Sequence, residues 1–266
     1  MNTGIARIRI LEAIEKADYC FFCYLENRLE QNYIDNYLYE LVMDSGEREK
    51  IVESRGFCNY HFHKMFAFST SPSSSDGLGM AWILKSVAEQ LLDDVRAQLT
   101  VKRPNEKRLR LTLRSRGPSV VTARSLKIVS NQIRCPACSS ISEMVRIYME
   151  DFLSEVARCD ELSTIYEEHG VICIPHYVML SSLVSCVHKE GFSSLSAKIT
   201  EKQATQLENT ISALSEYIAK QDYYYSDKDR AEIKKTVGES FAKIAGRRGI
   251  ERTLIRILRL EDDVLV

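Results

Sequence analysis

The amino-acid sequence predicts an all-α protein of two pseudo-repeats of helices. Three observations predict this fold class. The 266 residues include only 5 prolines and 11 glycines, so long stretches run without a helix breaker. Apolar side chains recur at three- and four-residue spacing, which is typical of amphipathic helices. A pattern of cysteine and histidine also occurs twice along the chain, which indicates an internal repeat.

The repeat is defined by cysteine and histidine residues that lie 115 positions apart. Each copy reads C-x2-C, thirty-four residues, then C-x2-H, and all four positions match in residue type. The first copy contains Cys20, Cys23, Cys58 and His61, and the second contains Cys135, Cys138, Cys173 and His176. The other cysteines and histidines have no such partner at this offset, and we expect them to be packing or surface residues: Cys159, Cys186, His63, His169 and His188.

The first repeat is predicted to cover residues 1–100. Its apolar spacing gives an amphipathic stripe on each side of the "DYCFFC" segment, and the glycine of "GFCNYH" opens a further helix. A glycine there suits a helix start that bends sharply or packs closely. The predicted helices are 5–16, 24–43, a short helix ending near Arg55, 56–68 and 80–99.

The second repeat is predicted to cover residues 135–266, after a basic linker at 101–134. Pro136 lies in a first helical turn, where its missing N–H costs least. The predicted helices are 137–158, a short helix ending at His169, one from "GVICIPH" to about 189, 193–221, 227–245 and 250–260. For the last helix, core docking or a homodimer contact is favoured over membrane binding.

The chemistry of the repeated residues points to metal binding. Zinc takes a tetrahedral shell of thiolates and imidazoles, and Cys3His is a common structural set. Residues three apart lie on one face of a helix, and the helix dipole favours a thiolate at its N-terminus. We therefore expect each repeat to carry its own Cys3His site at helix N-termini, with two Zn²⁺ per chain. An iron–sulfur cluster with one histidine ligand is the minority alternative.

Four protein ligands leave no open position for water or substrate, which argues for structural sites and against zinc hydrolysis. The chain also lacks a P-loop and the HExxH and GxSxG motifs. The sequence thus favours a non-enzymatic interaction or regulatory module, although it does not exclude an enzyme. A redox protein that uses metal–thiolate or iron–sulfur chemistry at the same ligands is the alternative.

The segment 102–134 carries ten basic residues and one acidic residue, a net charge of +9, so the rest of the chain carries −10. Phosphate contact, with nucleic acid or with a nucleotide, is the functional interpretation. A solvated linker is favoured over it, because no aromatic residues for base stacking are interleaved. The candidate phosphate contacts are Lys102, Arg103, Lys107, Arg108, Arg110, Arg114 and Arg116.

Two further features bear on the compartment. Six of the eight cysteines are arranged in metal-ligand patterns, which fits a reducing compartment, and the N-terminus lacks a signal-peptide core. No run reaches eighteen apolar residues, so no membrane span is expected. These features predict a cytoplasmic protein. The expected partner is an unknown protein or nucleic acid.

The ligand pattern resembles a family of prokaryotic proteins, domain of unknown function 6062. The residues that carry the resemblance are Cys20, Cys23, Gly56, Cys58 and His61, then Cys135, Pro136, Cys138, Cys173 and His176, with the tail "DYYYSDKDRAEI". The first C-x2-C pair, Cys20 and Cys23, lacks the proline of the family pattern. The second copy has one more residue between the glycine and the cysteine that precedes the histidine. The resemblance implies metal ligands at these positions and no particular activity.

Overall fold

The structure is a computed structural model that describes residues 3–71, 77–99, 135–158, 161–186, 192–219 and 227–246. Over these ranges the prediction of an all-helical protein is confirmed, and no strand occurs among them. The helices are α1 Thr3–Lys16, α2 Phe21–Tyr39, a 3₁₀ turn Leu41–Met43, α3 Ser45–Ser54, α4 Asn59–Ser69, α5 Leu78–Leu99, α6 Pro136–Val156, α7 Glu161–His169, α8 Ile174–Cys186, α9 Phe192–Ala219 and α10 Asp227–Ala245.

None of the helices in the described ranges is long and apolar enough to cross a membrane. The candidate phosphate contacts in 102–116, the linker 101–134 and the predicted helix 250–260 lie outside the described residues. Their roles stay predictions from the sequence.

The chain divides into two compact units that do not follow chain order. Unit 1 consists of Met1–Leu29 and Ser142–Val266, and unit 2 consists of Glu30–Ile141. This division differs from the sequential one expected from the sequence, because the first helix and the start of α2 group with the second half of the chain.

The core of unit 1 forms around aromatic residues of α2, α6 and α7. Phe21 packs against Phe22, Phe152 and Tyr166, with ring centroids 4.2, 5.3 and 6.2 Å apart. The backbone N–H of Phe21 donates to the carbonyl of Val171 at 3.2 Å. This bond ties the start of α2 to the segment that precedes α8.

Helix α1 contributes one face to the same core. Ile10 and Ile14 are buried, whereas Ile8 is 65% exposed. At 100° per residue, Ile8 and Ile10 are 200° apart around the helix, so they cannot share one face. The guanidinium of Arg9 donates to the hydroxyl of Tyr148 at 2.7 Å and links α1 to α6.

Unit 2 packs the C-terminal half of α2 against the short helices and α5. Tyr37 and Phe57 are fully buried, with ring centroids 5.6 Å apart. At the start of α5, a Cβ on Gly79 would lie 2.2 Å from the carbonyl oxygen of Leu38. Only a glycine therefore allows α5 to begin this close to α2.

Candidate metal centres

The chain direction before Cys58 is set by the C-terminal end of α3. Arg55 and Gly56 adopt left-handed conformations, with φ of 59° and 100°. The N–H of Gly56 then donates to the carbonyl of Ile51 at 2.8 Å, and that of Arg55 to Val52 at 3.1 Å. This Schellman-type ending reverses the chain and places Cys58 directly before α4.

The equivalent glycine before Cys173 is required by close packing. A Cβ on Gly170 would lie 2.2 Å from Cδ2 of Tyr166 and 2.8 Å from its carbonyl oxygen. The space around Gly170 therefore excludes a side chain. Gly56 thus fulfils both roles expected from the sequence, the bend and the close packing, since a Cβ on it would lie 2.4 Å from the ring of Phe62. Gly170 shows the close packing.

Cys20, Cys23, Cys173 and His176 form the first cluster, here called centre 1. The Nδ1 atom of His176 lies 3.6 Å from Sγ of Cys20, 3.4 Å from Sγ of Cys23 and 3.2 Å from Sγ of Cys173. The sulfur atoms of Cys23 and Cys173 are 3.7 Å apart. All four residues are buried.

Cys58, His61, Cys135 and Cys138 form the second cluster, here called centre 2. The Nδ1 atom of His61 lies 3.2 Å from Sγ of Cys58, 3.4 Å from Sγ of Cys135 and 3.3 Å from Sγ of Cys138. The sulfur atoms of Cys58 and Cys138 are 3.8 Å apart. His61 and Cys135 are buried, whereas Cys58 and Cys138 are partly exposed.

This grouping corrects the expectation that each repeat forms a site of its own. Each cluster takes its C-x2-C pair from one repeat and its C-x2-H pair from the other. The physical reason is that the start of α2 packs in unit 1 with the segment before α8, through the bond from Phe21 to Val171. Cys20 therefore lies beside Cys173 and not beside Cys58.

Both clusters fit a tetrahedral metal ion. Zinc–sulfur bonds of about 2.3 Å give sulfur–sulfur edges of about 3.8 Å in a tetrahedron, and sulfur–nitrogen edges of about 3.5 Å. The observed sulfur–sulfur distances are 3.7 and 3.8 Å. The six cysteines are free thiols, so no disulfide competes for these sulfur atoms. Each cluster could hold one metal ion.

The outer ring nitrogen of His61 faces a buried carboxylate. Nε2 of His61 lies 2.9 Å from Oε1 of Glu30, which is 2% exposed. The other carboxylate oxygen accepts from Nζ of Lys64 at 2.5 Å and from the hydroxyl of Tyr60 at 3.1 Å. A carboxylate on the second nitrogen of a ligating histidine fixes the ring and its tautomer.

Sequence reasoning did not identify these outer residues. Glu30 belongs to α2, and no spacing rule connects it with His61 in α4. A signal was present in α4 alone, where Tyr60 and Lys64 are four residues apart and share one helix face.

The outer nitrogen of His176 has a looser partner. Nε2 of His176 lies 3.6 Å from Oε2 of Glu26, and the ring of Phe22 packs against the imidazole with centroids 5.8 Å apart. The two centres therefore share their ligand set but differ in the residues around it.

The electrostatics of centre 2 favour a cation among its anionic groups. Burial lowers the pKa of His61, but the sulfur atoms of Cys135 and Cys58 and the carboxylate of Glu30 raise it to about 10. Burial raises the pKa of Glu30, while His61 and Lys64 lower it to about 2. A bound divalent cation would supply the same positive charge.

A cleft of about 630 Å³ lies between α7 and α9, beside the segment that leads to Cys173. Its polar groups bind one another. Nζ of Lys202 donates to the carbonyl of Glu167 at 2.6 Å, and Nε2 of Gln206 donates to the carbonyl of Gly170 at 2.9 Å. The cleft residues thus hold α7 and its C-terminal end against α9.

The histidines and cysteines outside the repeated pattern lie outside both clusters where they are described. His169 is exposed at the end of α7, and neither it nor His63 belongs to either cluster. Cys159, His188 and the side chain of Cys186 lie outside the described part of the chain.

The comparisons with known proteins identify a family without a known activity. The chain matches the family of unknown function DUF6062 over residues 1–250, and it therefore belongs to that family. This confirms the resemblance seen in the sequence. Comparison with curated proteins and with solved structures found no match.

Proposed function

We propose, for this member of the DUF6062 family, that both centres are structural zinc sites and that the chain is a non-enzymatic interaction or regulatory module. The observation that carries the proposal is the closed Cys3His geometry of each cluster. Three thiolates and one imidazole suit zinc, and four protein ligands leave no position for a substrate.

The grouping of the ligands supports a structural role. The sulfur atoms of Cys23 and Cys173 belong to residues 150 positions apart, and those of Cys58 and Cys138 to residues 80 positions apart. A metal ion at each centre would therefore cross-link distant parts of the chain. Structural zinc contributes on the order of 10 kcal/mol in small domains, which is comparable to the whole stability of a typical protein.

Elemental analysis of the purified chain together with its absorption spectrum tests the proposal. We expect two zinc ions per chain and no visible band. Iron with acid-labile sulfide and a coloured spectrum would contradict zinc and would support the redox alternative. Removal of zinc by a chelator should decrease the helical circular dichroism signal, and added zinc should restore it.

The proposal also includes nucleic-acid contact through the basic segment 102–134. The positive charge of this segment is the observation that supports the contact. If phosphates are bound, the affinity for RNA or DNA should fall steeply with added salt. The variant Lys107→Gln, Arg108→Gln, Arg110→Gln should bind more weakly and show a smaller salt slope. Binding that does not depend on salt, or an unchanged variant, would contradict this part of the proposal.

A further inference from the structure

The two centres differ in how far their ligand residues are exposed to solvent. All four residues of centre 1 are buried, and Cys20 and Cys23 are 3% and 7% exposed. In centre 2, by contrast, Cys58 and Cys138 are partly exposed. The sulfur–sulfur distances are nearly equal, at 3.7 and 3.8 Å, so the ligand geometry does not separate the centres.

The C-terminal end of α10 covers centre 1. Gly246 follows α10 in a left-handed conformation with φ of 74°, and its N–H donates to the carbonyl of Ala242 at 3.0 Å. A Cβ on Gly246 would lie 3.3 Å from Sγ of Cys173 and 3.8 Å from Sγ of Cys23. The backbone of Gly246 thus lies directly against the sulfur atoms.

A small pocket also reaches centre 1, and α10 forms part of its wall. The pocket has a volume of about 180 Å³ and is lined by Cys20, Cys23 and Ala242. Ala242 is 3% exposed, so α10 is firmly packed where it adjoins the pocket. Displacement of α10 would widen this pocket and uncover the side that Gly246 covers.

Access controls metal exchange at a closed tetrahedral site. An incoming ligand must reach the metal, which can expand to five-coordinate, or a proton must reach a thiolate. Both routes are easier at centre 2, where Cys58 and Cys138 are partly exposed. At centre 1 the small pocket beside Cys20 and Cys23 gives access, and movement of α10 would widen it.

We propose that centre 2 is the exchangeable metal site of this protein and that α10 with Gly246 retains the metal of centre 1. The proposal rests on the proposed function, because both centres must bind zinc. The ligand of centre 2 is a thiophilic divalent cation. Centre 2 would gain or lose this cation as the concentration of the free cation changes.

Zinc release from the zinc-loaded full chain tests the proposal. An excess of the chromophoric chelator 4-(2-pyridylazo)resorcinol should remove one zinc ion in a fast phase and one in a slow phase. Iodoacetamide added after the fast phase should alkylate Cys58, Cys135 and Cys138, as read by peptide mass spectrometry. Release in one phase, or first labelling at Cys20, Cys23 and Cys173, would overturn the proposal.

A matched pair of glycine variants tests the role of α10. Gly246→Ala puts a side chain at a left-handed position against the sulfur of Cys173, so the slow phase should become about tenfold faster. Gly238→Ala lies in the same helix, where a Cβ meets nothing within 4 Å, and should not accelerate that phase. Equal slow phases in both variants would overturn the role of α10.

The zinc content measured before release distinguishes a failure of the exchange proposal from a failure of the proposed function. Two zinc ions per chain with indistinguishable release rates would overturn the exchange proposal and leave the structural zinc sites in place. Fewer than two would overturn the proposed function, and the exchange proposal with it.

Discussion

At the scale of single residues, the difference between the centres begins at the outer nitrogen of each histidine. Oε1 of Glu30 lies close to Nε2 of His61, at 2.9 Å, and Lys64 and Tyr60 donate to the other oxygen of Glu30. Glu26 lies farther from His176, at 3.6 Å. A carboxylate in this position orients the imidazole and raises its basicity toward the metal.

Glu30→Gln should therefore weaken metal binding at centre 2 by about 10–100-fold and leave centre 1 unchanged. A competitive titration with a zinc chelator measures both affinities. Asp35→Asn is the control, because Asp35 is an exposed acid on the same helix. If Glu30→Gln and Asp35→Asn behave alike, Glu30 does not support the metal site.

A second residue pair stabilises the chain reversal that precedes Cys58. The guanidinium of Arg55 donates to both carboxylate oxygens of Asp94, at 2.6 and 3.0 Å, and so links the end of α3 to α5. This hydrogen bonding lowers the pKa of Asp94. Because the folded pKa is below the unfolded pKa, the contribution to stability is present at neutral pH and is lost as the pH falls through the folded pKa.

Asp94→Asn should lower the free energy of unfolding by about 1 kcal/mol at pH 7. The difference from the wild type should shrink as the acid form of Asp94 becomes populated at low pH. Urea denaturation at a series of pH values measures this difference in the free energy of unfolding. Asp93→Asn is the control, because Asp93 is an exposed neighbour of Asp94. A difference that stays constant with pH would show that the ion pair is not its cause.

At the scale of helices, α2 and α6 each begin at a C-x2-C pair, and α4 and α8 each begin at a C-x2-H pair. The sequence predicts these residue types and their spacing. It does not determine which pair meets which, because two like pairs can combine in two ways with the same ligand chemistry. The packing of α2 beside the segment before α8 decides between them, and that packing depends on contacts such as Phe21 with Tyr166.

Two double variants test the grouping directly. Cys20→Ser with His176→Ala removes two ligands of centre 1, so one zinc ion per chain should remain. Cys20→Ser with His61→Ala removes one ligand from each centre, so zinc should be lost from both. Native mass spectrometry counts the bound ions, and the reverse result would support sites formed within each repeat.

At the scale of the whole molecule, the all-helical fold follows from the sequence because its apolar spacing is a local property. The division into units does not follow, because it depends on contacts between residues more than a hundred positions apart. Arg9 and Tyr148 illustrate this, since they are bonded across 139 positions and neither residue alone indicates the other. The metal centres have the same long-range character.

The long-range grouping predicts how the chain behaves when it is cut. A site-specific protease sequence inserted after Gly117 would leave Cys20, Cys23, Cys58 and His61 on one fragment, and the other four ligands on the second. Each centre takes two ligands from each fragment, so the cleaved fragments should stay together while zinc is bound.

Size-exclusion chromatography of the cleaved protein measures this association. The fragments should elute together with zinc and separate after chelation, because each fragment alone holds only half of each ligand set. With sites formed within each repeat, each fragment would keep its own zinc ion. Zinc-loaded fragments that separate without a chelator would therefore contradict the grouping.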